Sequence, residues 1–195
     1  MQGFDPKFKD FPDYIIGITK EIWEDRNIAS LHSYYSDDIL VRSPASVVAG
    51  NANVIGATMA TLAEFPDRTL LGEDVIWSGS PDIGMLSSHR LLSTATHSKD
   101  GVYGEATGKQ LRYRILADCF AINNQISDEC LVRDQGAIVR QMGWEPKTYA
   151  ADLIAREGGP EACIQPLTPH TDRPGPYQGK GNDNAWGQDY AGILT

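Results

Sequence analysis

The spacing of apolar residues changes once along the chain, and that change constrains the fold more than any other feature. From Tyr14 to Ile22 apolar residues recur at steps of three and four, which is typical of an amphipathic helix. From residue 70 to residue 133 apolar runs are broken by short turns such as Asn123-Asn124, which is typical of a meander of strands. Helices followed by such a meander predict an α+β domain in which a curved sheet encloses one pocket.

The sequence predicts one folded domain over residues 14–145. Residues 1–13 are predicted to be an arm, and residues 146–195 an irregular extension rich in Gly, Pro, Asn and Asp. Apolar residues reappear near the end of the extension, which predicts that it docks on the domain or on a dimer partner; they are Trp186, Tyr190, Ile193 and Leu194. The predicted elements are helices at 14–25 (with Asp13 as N-cap), 28–35 and 53–65, a strand from 39, strands at 70–78, 85–97, 110–122 and 125–133, and helices at 135–142 and 149–157.

The net charge of −9 and the pI of about 4.8 disfavour two classes of partner. A surface of this sign repels nucleic acid phosphates and anionic membrane surfaces. No apolar run reaches the roughly 20 residues that span a bilayer, and the first residues lack the apolar stretch of a secretion signal. We therefore expect a cytoplasmic protein. The three cysteines, Cys119, Cys130 and Cys163, match neither a disulfide framework nor a zinc pattern.

Four segments carry a resemblance to a known family. They are EIWEDRNIASLHSYYSDDILVRSP (residues 21–44), AEFPDRTLLGEDVI (63–76), ATHSKDGVYGEATGK (95–109) and NNQISDECLVRDQGAIVRQMG (123–143). In this order and spacing they resemble the SnoaL-like polyketide cyclases, which have the nuclear-transport-factor-2-like (NTF2-like) cone fold. The resemblance covers residues 14–143 and implies three N-terminal helices packed in a curved, mixed and mainly antiparallel sheet around one pocket.

The resemblance also implies a homodimer with one apolar pocket per subunit, no metal and no organic cofactor. Characterised members of the family close a polyketide ring by an aldol step, with a pocket aspartate as acid and base. The sequence departs from the family in two places. Cys130 follows Asp128-Glu129 where a tryptophan is common, which alters the pocket floor. Arg42-Ser43-Pro44 lacks the histidine common before the proline, which removes one candidate catalytic group.

Aldol chemistry needs a base that removes a proton next to a carbonyl, and a carboxylate in an apolar pocket has the raised pKa that suits this task. Asp118 is the first candidate, because it interrupts the apolar run 115–120 and aspartate is disfavoured in strands. It shares a strand face with Arg114 and Phe120, and we expect this face to line the pocket. The alternative is a carboxylate paired with an arginine across the sheet.

Asp128 and Glu129 are the next catalytic candidates, on the following strand. They point to opposite faces, so only one can enter the pocket, and the sequence leaves open which. His89, in mid-strand, is the predicted helper in the pocket, with a hydrogen-bonded structural role as the alternative. His97 is predicted to have a structural role, which is to hold the corner loop. No two histidines stand at metal-binding spacing, so no metal site is predicted.

Six further residues are predicted to bind substrate. Arg42 and Arg114 are the polar candidates, Arg42 for a substrate carboxylate or carbonyl. The alternative for Arg42 is a surface ion pair with Asp37 or Asp38. The apolar candidates, for which plain core packing is the alternative, are Tyr35, Trp77, Met59 and Phe120.

Two functions are open at this point. The first is a cofactor-free acid/base enzyme acting on a small hydrophobic carbonyl compound, as an aldol cyclase, an isomerase or a related lyase or hydrolase. The second is a dimeric binding protein that holds an apolar ligand in the cone without converting it, because fold does not determine function. A buried, unpaired Asp118 would favour the enzyme, and an Asp118 saturated by arginine or facing solvent would favour the binding protein.

Overall fold

The computed structural model describes residues 1–163 and residue 192. The predicted docking of the C-terminal extension by Trp186, Tyr190, Ile193 and Leu194 lies outside the described residues. Within them, no helix is long and apolar enough to cross a membrane.

The helical segments before the long strands lie close to their predicted positions. They are α1 (Phe11–Thr19), its π-helical continuation (Lys20–Glu24), a 3-10 turn (Ile28–Ser30), α2 (Leu31–Tyr34) and α3 (Asn51–Glu64). The predicted N-cap is wrong by three residues. Asp10 caps α1, because its carboxylate accepts the backbone N–H of Asp13, which itself lies inside the first turn.

Six strands form one curved sheet in the order β2-β1-β6-β5-β4-β3. They are β1 (Tyr35–Ser43), β2 (Ser46–Ala49), β3 (Thr69–Ser80), β4 (Gly84–Thr96), β5 (Gln110–Ile122) and β6 (Gln125–Arg133). β1 and β6 are parallel, and every other neighbouring pair is antiparallel. The predicted α+β class with a mixed sheet is confirmed. β2 is not among the predicted elements, because four residues are too few to show a period.

Residues 1–13 contribute to the hydrophobic core. Phe4, Phe8 and Phe11 are buried around Tyr14, with ring centroids 4.9 to 6.0 Å from that of Tyr14. The hydroxyl of Tyr14 donates to the carbonyl of Asn124 in the turn between β5 and β6 (3.0 Å). The aromatic cluster and this hydrogen bond tie the N-terminal segment and α1 to one end of the sheet.

Two helices follow the sheet, α4 (Gln135–Gln141) and α5 (Pro146–Arg156). The ring of Tyr149 in α5 stacks on Trp144, with a centroid separation of 5.5 Å, and on Tyr103, with a separation of 6.2 Å. No residue of α5 is buried. The helix therefore rests on the fold through half-buried side chains rather than through a core of its own.

A buried carboxylate joins α3 to the loop between β4 and β5. Glu64 accepts hydrogen bonds from Nε2 of His97 (3.1 Å) and from the backbone N–H groups of Val102 and Tyr103 (3.0 Å each). Nδ1 of His97 accepts the backbone N–H of Thr107 (3.3 Å), which leaves Nε2 to donate to Glu64. These contacts confirm that His97 holds the corner loop.

We expect Glu64→Ala to lower the free energy of unfolding by about 3–5 kcal/mol, because it leaves one buried and two partly buried donors without their acceptor. Glu105→Ala is the matched control, since Glu105 lies exposed in the same loop, and it should change that free energy by less than about 0.5 kcal/mol. Urea unfolding measures both variants. Similar effects of the two substitutions would contradict the role assigned to Glu64.

Candidate functional site

A cavity of about 760 Å³ lies between the concave face of the sheet and helices α1, α3 and α5. Its walls are mainly apolar, and they include Ile15, Ile22, Val54, Leu91 and Leu153. The volume is sufficient for an organic molecule of several rings, and a few polar groups on mainly apolar walls are typical of small-molecule sites.

The alternation of side chains along β5 decides which of them reach the cavity. Tyr113, Ile115, Ala117 and Cys119 line it, whereas the residues at positions 112, 114, 116 and 118 are exposed on the outer face of the sheet. The ladder extends this division to the neighbouring strands. Residue 119 is level with Glu129 of β6, residue 117 with His89 of β4, and residue 115 with Arg133 of β6. The polar groups of the concave face thus occupy three successive rows.

Asp118 faces away from the cavity, so the expectation that it lines the pocket is wrong. Its side chain is exposed on the outer face, level with Ser88 of β4 and Cys130 of β6. It forms no ion pair within the part of the chain that the structure describes. An aspartate is tolerated in this apolar strand because its carboxylate is hydrated, and no pocket role is needed to explain it.

Of the two acidic residues in β6, only Glu129 enters the cavity. It is 7% exposed, and its Oε2 accepts a hydrogen bond from the hydroxyl of Tyr35 (2.8 Å), which also lines the cavity. Burial raises the pKa of Glu129, while the Tyr35 hydrogen bond and the charge of Arg133 oppose that rise. Burial and the nearby Glu129 also raise the pKa of Tyr35, so its hydroxyl keeps its proton. This carboxyl group is suited to accept a proton and return it.

Asp128 points to the opposite face of β6 and does not line the cavity. Its Oδ1 accepts a hydrogen bond from Nη1 of Arg42 (2.7 Å), and the two side chains form an ion pair. The predicted pocket positions of Asp128 and Arg42 are therefore wrong. Arg42 is level with Cys130, two residues along from Asp128, so both side chains belong to the outer face.

His89 lines the cavity as expected and is buried. Burial lowers its pKa to about 4, and the weaker effects of the Ala117 backbone and the Asp118 charge act in the opposite direction. Its Nδ1 has no hydrogen-bond partner among the described residues. The imidazole is therefore neutral at neutral pH, and one of its nitrogens is available to a molecule bound in the cavity.

The other predicted substrate contacts lie elsewhere, apart from Tyr35. Arg114 is exposed on the outer face and donates from Nε and Nη2 to the two carboxylate oxygens of Glu73 (2.9 and 3.1 Å). Trp77 and Met59 are 49% and 53% exposed, and Phe120 is buried on the outer face; none of the three lines the cavity. Their expected positions in the pocket are wrong. Met59 and Phe120 lie on the other side of their helix or strand. Trp77 lies on the inner face of β3, level with Ser87, but its ring packs against Phe11 (5.7 Å between centroids) and stays outside the cavity.

Several polar cavity residues are absent from the predicted set: Glu64, Arg68, Tyr103, Tyr113 and Arg133. Part of the signal is present in the sequence. The inner residues of β5 are uniformly uncharged, whereas the outer set carries Arg112, Arg114 and Asp118, which identifies the buried face. Arg133 shares the face of Glu129 by strand period. Arg68 follows the end of α3 and has no comparable pattern.

Within residues 1–163 and at residue 192, no group of three His, Cys, Asp or Glu side chains is arranged to hold a metal.

Solved structures share this architecture. A candidate SnoaL-like polyketide cyclase from Jannaschia sp. CCS1 superposes with a TM-score of 0.61 at 11% identity, over 75% of this chain and 100% of its own. IdmH of Streptomyces antibioticus, a candidate polyketide cyclase, gives 0.58 at 19% identity, over 68% of this chain and 97% of its own. The chain has the fold of the SnoaL-like polyketide cyclases. The expected NTF2-like cone is thereby confirmed.

One solved structure with the same fold is named for a different reaction. AclR of Streptomyces galilaeus, a candidate hydroxylase, superposes with a TM-score of 0.57 at 15% identity, over 69% of this chain and 98% of its own. No protein-family model matches the sequence, and no curated protein sequence matches it. The structural similarity therefore defines a scaffold and its cavity, and the chemistry must be argued from the residues inside.

His89 should make the protein less stable in acid. Its pKa falls from 6.5 to about 4 on folding, so below pH 6.5 the unfolded chain binds a proton that the folded chain does not. The free energy of unfolding should drop by roughly 2–3 kcal/mol between pH 6.5 and pH 4.5 through this group. Urea unfolding at both pH values should show a smaller drop in His89→Gln. His32→Gln, at an exposed histidine of α2, is the control; a drop of wild-type size in His89→Gln would contradict the assignment.

Proposed function

We propose that this protein is a cofactor-free acid/base enzyme that acts on a small hydrophobic carbonyl compound, with Glu129 as the base. One observation carries the proposal, which is the buried Glu129 carboxyl facing an apolar cavity with the Tyr35 hydroxyl on its Oε2. A carboxyl group in this setting has a raised pKa, and general bases work best when their pKa lies near the working pH.

The reaction type follows from the chemistry of such a group. The Glu129 carboxylate removes a proton from the carbon next to a carbonyl, and the electron pair of that C–H bond moves to the carbonyl oxygen as an enolate. In an aldol cyclase the enolate carbon attacks a second carbonyl of the same molecule, and the alkoxide formed takes the proton back from Glu129. In an isomerase the proton returns to a different carbon. Both routes leave the enzyme unchanged.

Tyr35 and His89 have supporting roles in this proposal. The Tyr35 hydroxyl stabilises the ionised form of Glu129, which lowers the pKa of the carboxyl group and keeps it available as a base. His89 is neutral and has an unpartnered Nδ1, so it can hydrogen-bond the reacting oxygen or orient the substrate. His89 belongs to the middle row, next to the row of Glu129, so a molecule of a few rings reaches both groups.

Two further expectations stay proposals. A homodimer is favoured by apolar side chains on the outer face of the sheet, where Leu116 and Val132 are 52% and 53% exposed. A non-catalytic binding protein is the second candidate function. It is favoured by the exposed position of Asp118 and by a cavity whose walls are mainly apolar.

The test is enolisation itself. In D₂O, the wild-type protein should accelerate deuterium uptake at the carbon next to the carbonyl in a hydrophobic ketone from a panel that includes 2-tetralone and 1-indanone, measured by NMR. Glu129→Gln should slow the catalysed exchange at least about 100-fold, because it removes the base and keeps the shape. Asp118→Asn, at the exposed aspartate of β5, should leave the rate within about twofold. Exchange equal in wild type and Glu129→Gln would favour the binding protein.

The pH dependence gives an independent check. The rate should rise with pH through the raised pKa of Glu129, because only the ionised form is a base. Tyr35→Phe removes a hydrogen bond that favours ionisation, so the rising limb should move to higher pH and the plateau should fall less than in Glu129→Gln. If the rate of Tyr35→Phe rises over the same pH range as that of the wild type, the group that titrates in the rate profile is not Glu129.

A further inference from the structure

Two arginines line the cavity and belong to no ion pair among the described residues. Arg68, which is 6% exposed, follows the end of α3, and Arg133 is the last residue of β6. Neither guanidinium forms an ion pair with a carboxylate within 4.0 Å among the described residues. The side-chain hydrogen bond of Arg68 runs from Nε to the hydroxyl of Ser93 (3.3 Å). This partner is neutral, so the guanidinium has no carboxylate at hydrogen-bond distance among the described residues.

Arginines on the other face of the sheet behave differently. Arg42 pairs with Asp128, and Arg90 and Arg114 both pair with Glu73. These three arginines have acidic partners, whereas Arg68 and Arg133 in the cavity have none within 4.0 Å among the described residues. Burying a charge without a partner costs folding free energy, and such groups persist where another requirement offsets the cost.

The two guanidiniums also act on each other. Burial lowers the pKa of Arg133, and the positive charge of Arg68 lowers it further, while Tyr113, Tyr103 and Glu129 act in the opposite direction. Both side chains therefore gain from a negative charge placed between them. A guanidinium offers several N–H donors in a planar fork that matches a carboxylate or a similar oxyanion.

Arg68 and Arg133 lie at one end of the cavity, and Glu129 lies at the other. Arg133 and Glu129 share the concave face of β6, four residues apart, which corresponds to roughly 13 Å between their Cα atoms. Ser93, the hydrogen-bond partner of Arg68, is level with Tyr113, which lies one row beyond Arg133 and farther from Glu129. The positive charges therefore lie at the end of the cavity remote from the base.

We propose that the cavity binds an organic anion, with the acidic group of the molecule held by Arg68 and Arg133 and its apolar body extending toward Glu129. The inference rests on the proposed function only in naming the substrate class, an acidic polycyclic or aromatic carbonyl compound. The ionised Glu129 repels the anionic end and the arginines attract it, so the molecule binds in one orientation. The carbon to be deprotonated is then at the Glu129 end.

A pair of fluorescent probes with one apolar body separates charge recognition from apolar binding. 8-Anilinonaphthalene-1-sulfonate carries an anionic group, and N-phenyl-1-naphthylamine is the same ring system without it. The wild-type protein should bind the anionic probe at least about tenfold more tightly. Arg133→Met should weaken the anionic probe about tenfold and leave the neutral probe within about twofold. Arg68→Met should do the same.

Arg112→Met is the matched control, because Arg112 is an exposed arginine on the outer face of β5. It should change the affinity for neither probe.

Thermal unfolding supplies a second readout. Removing a half-buried charge that has no ion-pair partner should leave the Tm of Arg133→Met equal to or above that of the wild type. A lower Tm, or an equal loss of both probes, would assign Arg133 to structure and overturn the proposal. An unchanged affinity for the anionic probe in both arginine variants would overturn it as well.

The same titration in Glu129→Gln keeps this inference apart from the proposed function. That variant should bind the anionic probe as tightly as the wild type or more tightly, because one negative charge has been removed from the cavity. If it does so and no ketone exchanges, the anion site stands and the acid/base function fails. If exchange depends on Glu129 but Arg68→Met and Arg133→Met bind both probes as the wild type does, the acid/base function stands and the anion site fails.

Discussion

The pairing of β5 with both β4 and β6 decides which polar side chains face the cavity. Because side chains alternate along a strand, one register places residues 113 to 119 with odd numbers inside the cone and their neighbours outside. Paired residues of neighbouring strands point to the same face, so Glu129 and His89 face the cavity as well. A shift by one residue would place Asp118 and Asp128 in the cavity instead. The helices and loops close the space, but the register selects which charges they enclose.

The sequence predicts the elements better than the orientation of side chains. Periodicity runs over nine to fourteen residues in each main element, so the bounds of α3, β5 and β6 agree closely with the structure. Aspartate is unusual in a strand, which predicts a pocket role for Asp118, yet its exposure to solvent on the outer face accounts for it. Which of Asp128 and Glu129 faces inward depends on pairing with distant strands. Tyr35 and Glu129 are 94 residues apart, and no local pattern joins them.

The polar groups of the cavity differ in how many of their hydrogen-bonding positions are occupied. Glu64 is saturated by His97 and two backbone N–H groups, so it serves the fold even though it lines the cavity. Glu129 has one hydrogen bond and a raised pKa, and His89 has an unpartnered nitrogen. Saturated groups hold structure, whereas unsaturated ones in an enclosed apolar space are available to a ligand. This distinction identifies a site more reliably than residue type does.

Helix α5 separates the stability of the cone from access to its interior. It lines the cavity through Tyr149 and Leu153, buries no residue fully, and is held mainly by the stacked rings of Trp144 and Tyr103. Displacing it breaks few contacts and leaves the sheet ladders intact. A bound molecule can therefore exchange with solvent without any strand unpairing. The groups that would touch such a molecule on β4, β5 and β6 therefore keep their positions when α5 moves.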